Sequence, residues 1–348
     1  MKILITGGAG LVGSHCAEHF ARAGHRVIVV DNLSRSKIFS SKRKSVEYNW
    51  KFLSGLKRVA LVKGDIRQFP LMKSIFSKYR PEVVIHTASQ PGVRASLENP
   101  HMDFGVNAAG TVNVLEAFRQ VSPKGTLVYC STNKVYGDNV NKLAVDSKGS
   151  RYVFCGSKGV GESASIDQTG HTPYGVSKLA GDLYVQDYAH TFGLKTAVFR
   201  MSCIYGTRQF AFEDHGWIAW FALRVLNGEP VTIFGDGKQV RDVLWVDDLV
   251  SAFEKFIASP LRHGVFNMGG GPRNTLSLLE LLEILEDITG KKPKVRFKAW
   301  RKFDQKVYIA DTTKAHKALR WQPKVSPREG VGRLVSWLKA NQGLFEER

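Results

Sequence analysis

Thr6-Gly7-Gly8-Ala9-Gly10-Leu11-Val12-Gly13 follows the apolar run 2–6 and precedes a stretch in which Val12, Cys16, Ala17 and Phe20 recur at helical spacing. The pattern is strand, glycine turn, helix. Gly7, Gly10 and Gly13 allow a tight turn, and the helix beginning at Leu11 and Val12 presents its positive end to a pyrophosphate. A Cβ at the glycines is expected to collide with the phosphates. The next apolar run, 26–30, closes on Asp31, 18 residues after Gly13, where a carboxylate accepts the ribose hydroxyls of a dinucleotide. Asp31 would repel a 2′-phosphate, so NAD is expected rather than NADP, although Arg35 nearby points the other way.

Further apolar runs at 59–62, 83–86, 126–129 and 195–199 are separated by enough chain for crossover helices. Strands alternating with helices imply a parallel α/β sheet covered on both faces, a doubly wound fold. Beyond about residue 200 the alternation weakens, as expected of a second, smaller lobe. There 277–289 reads as a leucine-rich helix closing on Gly290.

The 348 residues, at about 150 per domain, suit two domains. With 43% hydrophobic and 23% charged residues, disorder, collagen and coiled coil are excluded. No apolar stretch approaches the ~18 residues of a membrane span and the N-terminus has no secretion-signal pattern, so a cytoplasmic protein with no membrane partner is expected. The four cysteines lie far apart and read as free thiols. The net charge of +19 favours polyanionic partners. Basic residues concentrate at 35–63 and 291–302, yet no reading motif accompanies them, so nucleic acid is not expected.

Tyr174-Gly175-Val176-Ser177-Lys178 puts a phenol and an ammonium on one helix face. The ammonium is expected to lower the phenol's pKa so that Tyr174 acts as a base near neutral pH. Thr132 offers a hydroxyl to hold the substrate oxygen. Two other patterns are weaker. His15-Cys16-Ala17-Glu18-His19 matches a zinc-peptidase spacing, but the helix should turn His15, Glu18 and His19 outward, and no metal is expected. The stretch 156–163 resembles a phosphate loop with Glu162 in place of the required lysine.

The motifs Thr6 to Gly13, Asp31-Asn32-Leu33-Ser34, Gly64-Asp65-Ile66, Asn107-x-x-Gly110-Thr111-x-Asn113, Ser131-Thr132, Val135-Tyr136-Gly137, Tyr174 to Lys178 and Val240-Arg241-Asp242 together resemble the extended short-chain dehydrogenase/reductase superfamily of nucleotide-sugar enzymes, over nearly the whole chain. The resemblance implies a Rossmann-type NAD-binding domain at 1–200, with return segments at about 239–260 and 306–316, and a smaller mixed α/β nucleotide-sugar lobe in the remainder of 201–348. It implies catalysis by Tyr174, Lys178 and Thr132. It places the cofactor on the glycine turn and on Asp31, Asn32, Ser34, Arg35, Asp65, Ile66, Thr87, Ala88, Gln90 and Asn107, besides Tyr174 and Lys178.

For the substrate the resemblance implies Thr132, Asn133, Lys134, Ser202, Arg208, Gln209, Gln239, Arg241 and Arg301, with the three arginines clamping a diphosphate. A homodimer or homotetramer is implied as well. Two segments depart from the superfamily pattern. His86-Thr87-Ala88-Ser89 replaces the usual His-Leu-Ala-Ala, which is expected to alter the nicotinamide-side wall, and Ser202 stands where 4-epimerases carry asparagine.

The superfamily's dehydratases carry Asp-Glu directly after the catalytic threonine, where this chain has Asn133-Lys134, so 4,6-dehydration is not expected. The segments Asn99-Pro100-x-Met102-Asp103-Phe104, Arg208-Gln209-Phe210-Ala211-x-x-Asp214-x-Gly216-Trp217 and Gly237-Lys238-Gln239-Val240-Arg241-Asp242 are most similar to the CDP-paratose (CDP-tyvelose) 2-epimerase group. A UDP-galactose or UDP-glucuronate 4-epimerase and a non-catalytic NAD-binding protein stay open as alternatives.

Overall fold

The structure, a computed structural model, describes residues 1–35, 45–213, 215–301 and 304–345. Part of the first basic cluster, Asp214 and Lys302 lie outside the described residues. The chain forms two units. The first comprises Met1–Val135, Thr172–Arg200 and Val250–Phe266; the second comprises Tyr136–His171, Met201–Leu249 and Asn267–Arg348. These boundaries differ from the expected ones in three places. Residues 136–171 group with the second unit, the returning stretch is 250–266, and 306–316 stays in the second unit.

The first unit is built on a seven-stranded sheet: β1 (Lys2–Thr6), β2 (Arg26–Asp31), β3 (Val59–Lys63), β4 (Val83–His86), β5 (Thr126–Thr132), β6 (Lys195–Met201) and β7 (His263–Met268), in the order β7-β6-β5-β4-β1-β2-β3. The pairs β1–β2, β2–β3, β1–β4 and β4–β5 are parallel. Strand order reverses between β1 and β4, which opens a crevice at the carboxyl ends of these strands. The glycine turn after β1 and Thr87 after β4 both lie there. Ile3–Ile5 and 27–30 are completely buried, as expected of strands covered on both faces. Leu4, Val84 and Leu127 from the sheet pack with Met72, Phe76, Val114 and Phe118 from the helices Phe69–Tyr79 and Gly110–Val121.

The helix Thr172–Phe192 carries Tyr174 and Lys178, and a buried ion pair fixes it to the sheet. Arg200 at the end of β6 donates to Asp182 from Nε at 3.0 Å and Nη2 at 3.1 Å, and Ser131 of β5 donates to the same carboxylate at 2.6 Å. Helix Leu11–Arg22 corrects one expectation. His15 is buried instead of facing outward, because the inward stripe of this helix is wide enough to include it beside Ser14 and Cys16.

In the second unit the strand Val240–Trp245 lies parallel to Cys203–Tyr205 and Val307–Tyr308 and antiparallel to Thr275–Ser277. The leucine-rich helix runs Leu278–Thr289, with a Ser277–Glu280 capping box and Gly290 in the left-handed conformation at its end. The helix Trp217–Leu226 buries Ile218, Ala219, Phe221 and Ala222, while Trp217 and Trp220 are half-buried.

Replacing Arg200 by Met leaves Asp182 buried without its cation. We expect a loss of about 3–5 kcal/mol in urea unfolding; a loss under about 1 kcal/mol would show that the pair does not anchor this helix.

Candidate cofactor and catalytic site

Gly7 has φ +68°, and a Cβ there would lie 2.5 Å from the Ala88 Cα and N. A Cβ on Gly13 would strike the Gly7 carbonyl oxygen and lie 2.6 Å from the Gly8 Cα. The first and third glycines are therefore required by the chain's own close approach, a demand separate from the expected collision with phosphates. Gly10 differs, since the nearest neighbour of its Cβ would be the Gly7 oxygen at 3.2 Å. It is the N-cap of the helix Leu11–Arg22, no side chain caps it, and the first-turn N–H groups have no intrahelical acceptor.

Asp31 braces this turn, accepting from Ala9 N at 3.0 Å and Leu33 N at 2.8 Å. Burial pushes its carboxyl up, while those two bonds and Arg35 pull it back. Thr87, expected to change the nicotinamide-side wall, donates to Thr6 O at 2.7 Å or Gly7 O at 3.1 Å and thereby ties β4 to the turn. Asn32 accepts from Ser34 N and donates to Asp65 at 3.0 Å. Burial raises the Asp65 carboxyl, but bonds from Arg67 and Asn32 outweigh it and hold it at about 2. Ile66 is buried, and its carbonyl accepts from Asn113 at 2.9 Å. A helix end with no side-chain cap at Gly10 and a carboxylate on the following strand fit a dinucleotide.

Thr132 ends β5, and Tyr174 and Lys178 lie on the helix Thr172–Phe192. Lys178 is 3% exposed; its ammonium donates to the Cys130 carbonyl at 2.5 Å and sits 4.3 Å from the centre of the Tyr129 ring. Burial pushes Lys178 down to about 8, against Cys130, Asp182 and Asp103, which support the charge. Tyr174 moves opposite to expectation. Burial pushes it up to about 12, and the hydrogen bond with Thr132 only partly offsets this. Tyr174 and Lys178 share one helix as their spacing predicts, but desolvation dominates the phenol.

The network behind this pair was not legible in the sequence. Asn107 accepts from Gln90 N at 2.9 Å and donates to Gln90 O at 3.0 Å and Ser177 Oγ at 3.1 Å. Gln90 and Asn107 also donate to the buried Asp103 carboxylate. His86 contacts Thr6 Oγ1 at 2.6 Å and Thr111 Oγ1 at 3.0 Å, and burial followed by the Lys178 charge holds it down at about 3, hence neutral. A π-helical turn at Gly105–Ala109 carries Asn107, a sparse geometry that sequence periodicity does not reveal.

Asn133 and Lys134 follow Thr132: the Thr132 hydroxyl donates to Asn133 Oδ1 at 3.3 Å and accepts from Lys134 N at 3.2 Å. The remaining expected substrate residues lie in the second unit. Arg241 pairs with Asp304 at 2.6 Å, and the Arg301 guanidinium stacks 3.8 Å over Phe234. Ser202 donates to Asp242, whose carboxyl burial pushes up to about 6. Arg208 is buried with φ +57°, while Gln209 and Gln239 donate to the carbonyls of Ile204 and Phe234. Glu162 accepts from Asn267 N, a structural role in place of a phosphate loop. Among the described residues no group of His, Cys, Asp and Glu could hold a metal, and no helix is long and apolar enough to cross a membrane.

The sequence profile of the NAD dependent epimerase/dehydratase family matches residues 3–269. The chain belongs to that family. It is 42% identical to CDP-paratose 2-epimerase of Salmonella typhi, over 97% of this chain and 99% of that one. It is 35% identical to UDP-glucuronate 4-epimerase of Thermodesulfobacterium geofontis, over 99% and 98% respectively. The solved structure of Thermus thermophilus UDP-glucose 4-epimerase in complex with NAD superposes with a TM-score of 0.82 at 32% identity, covering 98% of this chain and all of that one. The expected fold, the cofactor NAD and the NAD-dependent nucleotide-sugar epimerase class are borne out.

Gly10→Ala, whose Cβ meets the Gly7 oxygen at 3.2 Å, should lose less stability than Gly7→Ala yet bind NAD at least about tenfold more weakly, as expected when a methyl group blocks a close ligand approach. Gly7→Ala should instead lose about 2 kcal/mol or more of stability. Thermal unfolding and NAD titration read both, and equal behaviour of the two variants would contradict the division of roles among the glycines.

Proposed function

We propose that the protein inverts carbon 2 of a CDP-linked sugar of the paratose–tyvelose pair. The reading is carried by the 42% identity, over nearly the full length, to CDP-paratose 2-epimerase of Salmonella typhi. Asn133 and Lys134 support it from the chain itself, since neither supplies the carboxylate pair of the dehydratases.

In this reading bound NAD supplies the hydride acceptor and then the donor at one carbon. Tyr174 acts in its phenolate form, taking the proton from the sugar hydroxyl to become the neutral phenol and later returning it. Thr132, hydrogen-bonded to the phenol, orients it and lowers the cost of ionising it in a buried site. Lys178 supplies a fixed positive charge behind the pair. Asn133, Lys134, Ser202, Arg208, Gln209, Gln239, Arg241 and Arg301 serve the nucleotide sugar, with Arg241 exchanging its contact with Asp304 for phosphate. Gly7, Gly10, Leu11, Val12, Gly13, Asp31, Asn32, Ser34, Arg35, Asp65, Ile66, Thr87, Ala88, Gln90 and Asn107 form or brace the NAD site.

The proposal extends to a cytoplasmic homodimer or homotetramer. Leu97, Phe104, Val176, Leu183, Tyr184 and Phe192 are exposed large apolar side chains on the neighbouring helices Val93–Glu98, Pro100–Phe104 and Thr172–Phe192, a face suited to a second copy of the chain.

The test is incubation with CDP-, UDP-, GDP- and dTDP-sugars followed by NMR. Interconversion of CDP-paratose and CDP-tyvelose is expected, whereas turnover of UDP-glucuronate or UDP-galactose in its place would overturn the reading in favour of carbon 4. Tyr174→Phe should melt normally and lose on the order of 10²-fold or more in kcat. Wild-type turnover by this variant would remove Tyr174 from the mechanism.

A further inference from the structure

Asp103 is completely buried at the end of the short helix Pro100–Phe104, immediately before the π-helical turn. Its Oδ2 accepts from the Ser177 hydroxyl, and its Oδ1 accepts from Gln90 at 3.0 Å and Asn107 at 3.2 Å. All three donors are neutral. Asp182, the other buried carboxylate near Lys178, has Arg200 as its own cation. Burial pushes the Asp103 carboxyl up, and the Ser177 bond and then the Lys178 charge pull it back; Asp103 in turn supports the Lys178 charge. Ser177, immediately before Lys178 on the same helix, ties the carboxylate mechanically to that turn. The remaining titratable groups facing Lys178 are Cys130, pushed up to about 12 by burial, His86, held neutral, and the phenols Tyr129 and Tyr174.

We propose that Asp103 is a positioning residue of the catalytic pair, a fixed counter-charge clamped to the helix through Ser177 that keeps the buried Lys178 ammonium protonated and in place. Asp182 also supports the Lys178 charge but is paired with Arg200, whereas the donors to Asp103 are all neutral. This inference rests on Tyr174 and Lys178 being the working pair. It goes beyond that reading by assigning a role to a carboxylate whose own hydrogen bonds run to Ser177, Gln90 and Asn107.

The test compares Asp103→Asn, Ser177→Ala and Lys178→Met in the full chain with bound NAD, using the nucleotide sugar that the wild type turns over. In Asp103→Asn the high-pH fall of kcat, set by loss of the Lys178 proton, should move down by about one pH unit or more, the size of effect an opposite charge exerts nearby. Ser177→Ala removes the clamp and keeps the charge, so it should lower kcat and leave that limb where it is. An unshifted limb in Asp103→Asn would overturn the proposal.

Thermal unfolding at pH 7 gives a second readout if Asp103→Asn folds poorly. The substitution should cost clearly less in the Lys178→Met background than in the wild type, because no buried cation is then left uncompensated. Equal cost in both backgrounds would overturn the proposal. Full activity in Lys178→Met would instead overturn the catalytic reading on which it rests.

Discussion

An ammonium group withdrawn from water sets most of the terms of this site. Lys178 is 3% exposed, and burial pushes its pKa down. The structure answers with the Cys130 carbonyl, the face of Tyr129 and two buried carboxylates. They come from three parts of the chain. Cys130 and Tyr129 belong to β5, Asp182 lies one turn further along the same helix, and Asp103 precedes the π-helical turn. A charge kept in so dry a place acts at short range with little screening, which suits a step in which a neighbouring oxygen gains and loses a proton.

The same economy governs the glycine turn. Its conformation is over-determined by Asp31 from β2, Thr87 from beyond β4 and the packing of Gly7 against Ala88. The turn is therefore shaped before a ligand arrives, with the first-turn N–H groups presented at the carboxyl end of the sheet. Because β5 also ends at this edge, the strand order that places the turn places Thr132 and the Lys178 acceptor as well. Sheet topology and site chemistry are in this sense one constraint. Arg200, Asp182 and Ser131 keep the helix Thr172–Phe192 fixed against the sheet.

What could be read from the sequence was local. Gly7 to Gly13, the β strands and the i, i+4 spacing of Tyr174 and Lys178 all depend on residues within one element or its neighbour, and so does the capped helix Leu278–Thr289. What escaped depends on contacts across the chain. Asp103 meets Ser177 74 residues away, and Arg241 meets Asp304 63 residues away. Neither pairing leaves a periodic trace. The direction of the Tyr174 shift escaped for a related reason: spacing shows which groups are neighbours, whereas desolvation depends on everything packed around them. His15 was misplaced because an apolar stripe defines the centre of a buried helix face more sharply than its margin.

The central claim is that Lys178 is a charged group maintained inside the protein by its compensating partners. Nitrogen-15 NMR of lysine-labelled protein, with the Lys178 Nζ resonance assigned by its loss in Lys178→Met, measures this directly. A titration midpoint near about 8 is the predicted result. A midpoint at the ordinary lysine value of about 10.4 would contradict the account, because it would show that the ammonium is not held out of water.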